Sequence, residues 1–573
     1  MTHTVVGIDL GTSYSLVATM GGEGPRIIPN SLGEALTPSA ISIDDDGEVL
    51  VGAAARARAA THPERTAMSF KRDMGTARTR RLDGRDYRAE ELSALVLASL
   101  KRDAEAALGA AIDEAVVTVP AYFGEAQRRA TRHACDIAGL RVERIINEPT
   151  AAALAYGLHN LHKEMRAAVV DLGGGTFDVT VLEIIEGVIE IQGSSGDVTM
   201  GGDDFVEALV KRCSDQIAAE HGAPVSDALA RARLWRACEV AKRRLSDLDR
   251  TTLALPQLRV GRKEIDVELE LDRHACEAAW QPILDRLGRP IRIALRDAGA
   301  SARDIDEVLL VGGATRIPCV RHLVATLFGR LPSRSLPPDE IVALGAAVQA
   351  ALKVGDAAVE DLVVTDIAPF TLGVATAETL MAQMVSGVFT PILERGTVLP
   401  ASRVKTFHTV AEGQKRLLVE VYQGEHSLCA DNEKLGEYEV KGIPSGPAGE
   451  EAIDIRFTYD LNGLLEVEST VLSTRKKSTL VIEPQARRLD KKAIKRAQRD
   501  MARLKFHPRD ALPNRTALAR ADAVYAECRG PERELLGLAI ARLRTALETQ
   551  EPSLIDSARE ALIALTTQLA AAT

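Results

Sequence analysis

The sequence predicts a multidomain chain in which a two-lobed α/β region is followed by an antiparallel β region and a short helical region. Three observations predict this order. Similar glycine-rich turns recur near residues 11 and 174, polar and apolar residues alternate from 367 to 484, and apolar residues then recur with a helical period. The 573 residues correspond to about four domains.

Composition argues against several classes of function. Lys and Arg total 71 against 81 Asp and Glu, so the net charge of -10 repels nucleic acid unless positive charge is clustered. Aromatic residues make up 3%, too few for base-stacking platforms. The seven cysteines are scattered singly, which predicts reduced thiols and a cytoplasmic location. With no membrane-spanning stretch or leader evident, we expect neither nucleic acid nor membrane as a partner.

The prediction of two lobes rests on an internal echo. Residues 9–17 and 171–181 each read as a strand, a tight glycine-rich turn and a second apolar strand. This pattern favours a β-hairpin over a strand-to-helix turn. A third glycine-rich turn, at 312–316, also follows an apolar strand, and helical segments such as 90–108 separate the strands. Two related hairpins among alternating strands and helices predict two related α/β lobes.

The turns also suit phosphate binding, because glycine lets backbone N–H groups approach an anion closely. Each hairpin holds an aspartate at the end of its first strand and a threonine in its turn: Asp9 with Thr12, and Asp171 with Thr176. The pair predicts a nucleotide held between the lobes. Asp9, Asp171 and Asp178 suit a Mg²⁺ ion that keeps most of its water shell. Hydrolysis would then proceed by in-line attack of a positioned water.

Longer stretches of the sequence resemble one family, the heat-shock-seventy chaperones of the DnaK type within the actin-like ATPase superfamily. The matching segments are 7–12, 119–123, 144–157, 171–178, 200–205, 310–318, 422–425 and 459–463. The short stretch after Lys71 and the short tail are most similar to the compact bacterial HscC-type members. The resemblance implies ATP or ADP and Mg²⁺ as ligands of the first region.

The resemblance also implies domain boundaries. They are an actin-like nucleotide-binding ATPase domain at 1–358, an interdomain linker at 359–366, a β-sandwich peptide-binding domain at 367–484 and a helical lid at 485–573.

Individual roles in the ATPase domain follow from the same resemblance. The catalytic residues would be Lys71, which orients the attacking water, with Glu148, Asp171, Thr176 and Asp178. Mg²⁺ would be held, largely through water, by Asp9, Asp171 and Asp178. The phosphates would lie against Gly11, Thr12, Ser13, Gly173, Gly174, Gly175, Gly201 and Gly202. The adenosine would lie against Glu239, Lys242, Arg243, Ser246, Gly312, Gly313, Ala314, Arg316 and Asp356.

Communication between domains is implied for a further set. Pro120 and Arg128 would relay the nucleotide state towards the linker residues Leu362, Val363, Val364 and Asp366. Tethers are usually polar, so three consecutive apolar residues favour a segment that docks in one state and is released in another.

The β region would bind an extended apolar peptide in a groove. The groove would be lined by Val374, Val388, Phe389 and Leu417, although these four could equally be core residues. Residues 377–387 are expected to form a longer than usual loop that arches over the peptide.

The function implied is an ATP-dependent chaperone that couples hydrolysis to the binding and release of unfolded or specific client polypeptides. A J-domain cochaperone would bind near Arg144, Asn147 and Asp366, whether an exchange factor acts is left open, and the chain would be a monomer or weak dimer. Two alternatives share the hairpins: a small-molecule kinase of the same superfamily, and a filament-forming ATPase. A kinase has no need of residues 367–573, so the β-region motifs favour the chaperone.

Overall fold

A computed structural model describes most of the chain. The described residues are 4–142, 144–158, 164–185, 187–333, 337–359, 362–380, 383–459, 465–482, 511–549 and 552–572. Residues 460–463 of the matching segment 459–463 and the start of the helical region, 485–510, lie outside them.

The first lobe is built around a mixed sheet. Its elements are β1 (Val5–Leu10), β2 (Tyr14–Gly21), β3 (Gly24–Ile28), β4 (Thr37–Pro38), β5 (Ala40–Ile43), β6 (Val49–Val51), α1 (Ala53–Arg58), β7 (Thr66–Met68), β8 (Thr79–Leu82), β9 (Arg85–Arg88), α2 (Ala89–Leu108), β10 (Glu114–Val119), α3 (Glu125–Ala138), β11 (Ile145–Asn147) and α4 (Glu148–Leu158). Apolar β-branched runs form β1 and β10, which pair in parallel at the centre of the order β11-β10-β1-β2-β3.

The second lobe repeats this arrangement. Its elements are β12 (Met165–Leu172), β13 (Phe177–Ile185), β14 (Val188–Asp197), α5 (Gly202–His221), α6 (Ala228–Arg244), β15 (Arg250–Val260), β16 (Lys263–Asp272), α7 (Arg273–Asp297), β17 (Glu307–Val311) and α8 (Pro318–Phe328). Helix α9 (Ile341–Val354) follows and packs on β1 and β2 of the first lobe and on α4. Strand β12 is antiparallel to β13 and parallel to β17, as β1 is to β2 and β10. The prediction of two related α/β lobes opened by hairpins is confirmed.

The region from 363 to 482 is built mainly of β-strands. Its strands are β18 (Val363–Ile367), β19 (Leu372–Leu380), β20 (Gln383–Leu393), β21 (Val398–Leu399), β22 (Ala401–His408), β23 (Arg416–Gln423), β24 (Glu433–Lys441), β25 (Ala452–Tyr459), β26 (Leu465–Val471) and β27 (Lys477–Ile482). Two four-stranded antiparallel sheets, β20-β19-β23-β24 and β22-β25-β26-β27, enclose a core that includes Val421, Phe457 and Val467. The predicted β-sandwich is confirmed.

Residues 377–387 differ from the prediction of an arching loop. Residues 377–380 belong to β19 and residues 383–387 to β20, and these antiparallel strands pair Ala377 with Ser386 and Leu380 with Gln383. The flanking sequence is rich in threonine and valine, which favour extended structure. The expectation of a loop is therefore wrong.

Three helices close the described chain: α10 (Ala511–Glu527), α11 (Gly530–Thr549) and α12 (Pro552–Ala572). They pack on one another through a buried seam that includes Leu536, Leu543 and Leu562, at the predicted helical spacing. Helix α10 also packs against α1 of the first lobe. Within the described residues, no helix is both long and apolar enough to span a bilayer.

Candidate nucleotide site

A cavity of 460 Å³ lies between the two lobes, where the first strands of both hairpins end. Its volume is in the range of ligand pockets. Most of the predicted site residues line it: Asp9, Gly11, Thr12, Ser13, Lys71, Glu148, Asp171, Gly173, Gly174, Thr176, Gly202, Glu239, Lys242, Arg243, Ser246, Gly312, Gly313, Ala314 and Arg316.

The two hairpin turns face each other across this cavity. A Cβ atom on Gly174 would lie 2.0 Å from Oγ of Ser13, so only glycine allows so close an approach. The second turn is fixed by the N–H of Gly173, which donates to the carbonyl of Thr176 (3.1 Å), and by the N–H of Gly202, which donates to the carbonyl of Gly173 (2.8 Å). The start of helix α5 thus anchors the turn.

Lys71 and Glu148 form a buried ion pair on the floor of the cavity. Nζ of Lys71 donates to Oε1 of Glu148 at 2.8 Å, and the lysine side chain is 3% exposed. Glu148 begins helix α4 directly after β11, with Pro149 next, so its carboxylate projects from a rigid junction. Nζ of Lys71 also lies 5.4 Å from the ring centroid of Phe123.

Three aspartates around this pair have raised pKa values. Burial, with the Glu148 carboxylate adding to it, raises the pKa of Asp9 to about 7, although Oδ1 accepts a hydrogen bond from Oγ1 of Thr118 (2.9 Å). Burial and Glu148 likewise raise the pKa of Asp178 to about 8, and that of Asp171 well above its usual value. The site concentrates more negative charge than Lys71 offsets.

This donor set fits a hydrated Mg²⁺ ion. Both carboxylate oxygens of Asp178 are buried without a hydrogen bond of standard geometry among the described residues. Within the same residues, no three His, Cys, Asp or Glu side chains are grouped to ligate a metal directly. Asp9 and Asp171, which line the cavity, would face a hydrated Mg²⁺ ion, and Asp178 would support them from behind the turn.

Arginines from both lobes close the outer edge of the cavity. Oε1 of Glu239 accepts hydrogen bonds from Arg56 of the first lobe and from Arg243 (2.7 Å), and both arginines also donate to the hydroxyl of Tyr14. Nζ of Lys242 donates to the carbonyl of Gly202 (2.9 Å), and burial lowers the pKa of Lys242. The edge is thus held by charged contacts between the lobes.

Four predicted residues do not line the cavity. Gly175, Gly201 and Asp178 lie behind the turns, where a Cβ atom on Gly201 would meet the backbone N of Gly175 at 2.5 Å. Asp356 follows α9, where its Oδ1 accepts from the N–H of Ala358 (3.0 Å).

Sequence reasoning missed several lining or bridging residues. Asp339 lines the cavity and accepts a hydrogen bond from Nε of Arg316 (3.1 Å), and Arg72 of the first lobe pairs with Asp204 of the second (2.6 Å). The acidic residue after the two prolines at 337–338 was the one signal available for Asp339, and it is weak on its own.

A family model described as Hsp70 protein matches residues 5–81 and 77–559. The chain belongs to the Hsp70 family. Members of this family are chaperone ATPases that bind nucleotide with Mg²⁺. The match runs through the sandwich and into the terminal helices, so a small-molecule kinase or a filament protein is not favoured.

The predicted linker of this Hsp70 chain forms a strand in the sheet of the second lobe. Strand β18 pairs in parallel with β14, and the N–H of Val363 donates to the carbonyl of Gly187 (3.2 Å). Leu362 is 4% exposed and packs into the core of the lobes, Val364 packs against the same core, and Val363 is 51% exposed. Of the three apolar linker residues, Val363 therefore contributes least to docking.

Asn147 lies between Glu148 and the predicted linker. It directly precedes Glu148, its Nδ2 donates to Oδ2 of Asp366 (2.9 Å) and its Oδ1 accepts from Nη2 of Arg128 (2.6 Å). Arg128 in turn donates to the carbonyls of Ala121 (3.2 Å) and Phe123 (3.0 Å), in the segment that starts at the buried Pro120. We expected Asn147 at a partner contact, whereas its side chain is buried and bonded to Arg128 and Asp366.

The sandwich of the Hsp70 chain contacts both lobes. The rings of Tyr122 and Phe370 meet edge to face at 5.3 Å, and the N–H of Glu125 donates to Oε1 of Gln423 (3.2 Å). On the second lobe, Arg395 pairs with Asp297 at 3.0 Å.

The four predicted groove residues are placed unequally. Val374 is 2% exposed within the sandwich core, and Phe389 is also buried. Val388 and Leu417 are half-buried, and Val388 bridges to Leu428 of the next segment.

Proposed function

We propose that the chain is an ATP-driven chaperone in which hydrolysis in the cleft releases the linker and changes how tightly the sandwich holds a polypeptide. The observation that carries this proposal is the contact chain from Lys71 to Glu148, Asn147 and Asp366. Through these four residues, the group that would position the attacking water is connected to strand β18, which joins the domains.

In the cleft, Lys71 would hold the attacking water in line with the terminal phosphate, while Glu148 fixes the ammonium group. The hydroxyls of Thr12, Ser13 and Thr176 would orient the phosphates between the facing turns. When bound, Mg²⁺ supplies positive charge that neutralises the phosphates. Lys71 alone offsets too little of the carboxylate charge, so a bound Mg²⁺ would favour the ionised form of the aspartates.

Client binding would use extended backbone on the β20 side of the sandwich. Val388 on β20 and Leu417 on β23 are half-buried and retain exposed apolar surface for a peptide. Val374 and Phe389 are buried and would support this surface from the interior of the sandwich. The hairpin at 377–387 would stand beside such a peptide. A J-domain partner would bind next to Arg144, which is adjacent to Asp366.

The cellular setting is part of the proposal. All seven cysteines are unpaired thiols, which suits a reducing, cytoplasmic compartment. The chain would act as a monomer or weak dimer.

The test is the dissociation rate of a fluorescent leucine-rich peptide from the purified chain, in ADP and then in ATP. ATP is expected to speed release about tenfold or more, a shift of about 1.4 kcal/mol. Lys71→Ala should hydrolyse ATP slowly yet still release peptide on ATP binding. Leu362→Asp should lose the ATP effect because it buries a charge in the docked linker.

Val363→Asp is the matched control, since this side chain is half exposed and should leave the ATP effect largely in place. Equal release in ADP and ATP by the unmodified chain would contradict the proposal. Equal behaviour of Leu362→Asp and Val363→Asp would contradict the linker's part in it.

A further inference from the structure

Helix α10 lies across both lobes of the ATPase region. On the first lobe, Arg520 pairs with Glu34 at 2.7 Å. On the second lobe, Arg529, just beyond the end of α10, pairs with Asp266 of β16. One rigid segment therefore holds residues of both lobes.

Further charges repeat this pattern. The carboxylate of Asp522 pairs with Arg544 of α11 at 3.5 Å, and the positive charge of Arg58 on the first lobe also acts on it. Glu527, one and a half turns later, lies near Arg233 and Arg236 of helix α6. Acidic side chains of α10 thus meet basic side chains on each lobe, which gives the contact charge complementarity.

An apolar contact accompanies the ion pairs. Ala519 and Ala523 lie one turn apart on α10 and are 8% and 2% exposed, yet they do not belong to the core shared by α10, α11 and α12. Helix α1, on which α10 packs, is alanine-rich, and Ala57 is 5% exposed. Small side chains on both helices allow the backbones to approach closely, which accounts for this burial.

The contact stands directly outside the nucleotide site. Arg520 borders a second cavity, of 660 Å³, whose walls include Ala57 of the first lobe and Trp235 of the second. Tyr14 and Glu239 line this cavity and the nucleotide cavity alike. Arg520 of α10 therefore lies at the border of a cavity that adjoins the cleft.

We propose that the terminal helices act as a clamp on the cleft and slow the release of nucleotide. Separation of the lobes at this edge would break the ion pairs of Arg520 with Glu34 and of Arg529 with Asp266. Undocking of α10 is then the step that permits fast release. The inference rests on the proposed function in one respect, that the cleft binds nucleotide.

The test is stopped-flow release of a ribose-labelled fluorescent ADP from the full chain into excess unlabelled ADP. The double variant Arg520→Glu/Arg529→Glu reverses both ion pairs, whose members are about half exposed. We expect release to become about fivefold faster, since exposed ion pairs contribute modestly. Arg542→Glu, on the exposed surface of α11, is the matched control and should change release less than about twofold.

A charge exchange provides the second measurement. Glu34→Arg combined with Arg520→Glu restores opposite charges at the first contact and should return release towards the original rate. Unchanged release in Arg520→Glu/Arg529→Glu, or the same change in Arg542→Glu, would overturn the clamp while leaving the proposed function intact. Failure of the unmodified chain to bind labelled ADP would overturn both.

Discussion

Replacing Asn147 by alanine should release the linker without touching the cleft. The change removes the hydrogen bond from Nδ2 to Asp366, whereas Arg128 keeps its bonds to Ala121 and Phe123. A hydrogen bond to a charged group contributes about 1.5–3 kcal/mol. Asp366 retains only its bond from the N–H of Ile367 (2.8 Å) among those seen here, and burial raises its pKa. The ratio of docked to released linker should fall by about tenfold to about a hundredfold.

Amide hydrogen exchange across β18 in saturating ATP measures this population, because Val363 is bonded to Gly187 only when docked. Exchange at residues 363–367 should speed up by the same factor. Thr365→Ala is the control on the same strand, since Oγ1 of Thr365 makes only a long contact of 3.5 Å to the carbonyl of Ile189. Unchanged exchange in Asn147→Ala, or an equal rise in Thr365→Ala, would refute the relay.

Two further predictions concern the carboxylate site. In the folded lobes Asp9 has a pKa of about 7 and Asp178 a pKa of about 8, whereas in the unfolded chain both release their protons near pH 3.8. The folded state therefore binds more protons between these pH values, and the stability of the nucleotide-free lobes should fall as pH rises from about 4 to about 8. Calorimetry should show Tm falling between pH 5 and pH 8, with a shallower fall in Asp178→Asn; an equal or steeper fall in that variant would argue against this origin. Separately, Gly196→Ala places a Cβ atom 2.2 Å from Oδ1 of Asp178 and should lower ATP turnover about a hundredfold, whereas Gly22→Ala, with no atom within 4 Å, should not. Similar turnover in the two glycine variants would remove Asp178 from the catalytic surround.

Local sequence patterns predicted the elements that form from interactions between residues close in sequence. The similar glycine-rich turns at 11 and 174 predicted two hairpins, and the two hairpins predicted the two related lobes that form. Lys71 and Glu148 are 77 residues apart, and the sequence pattern alone does not pair them; the resemblance to known chaperones did, and the 2.8 Å contact agrees with it.

What the sequence could not predict depends on contacts between distant segments. Tyr14, Arg56 and Arg243 come from distant segments and contact one another only in the folded chain. No local sequence pattern predicts these contacts. Residues 377–387 were expected to be a loop by analogy, although their β-branched neighbours favour the hairpin that forms. The contact of α10 with both lobes is spread over single charges and small side chains, which carry no recognisable motif.

The most direct test of the account is linker exchange in the unmodified chain, compared between saturating ATP and saturating ADP. Nucleotide state and docking are coupled if the amides of 363–367 exchange slowly in ATP and at least about tenfold faster in ADP, a shift of about 1.4 kcal/mol. Equal exchange in the two nucleotides would contradict the claim that the cleft controls the linker.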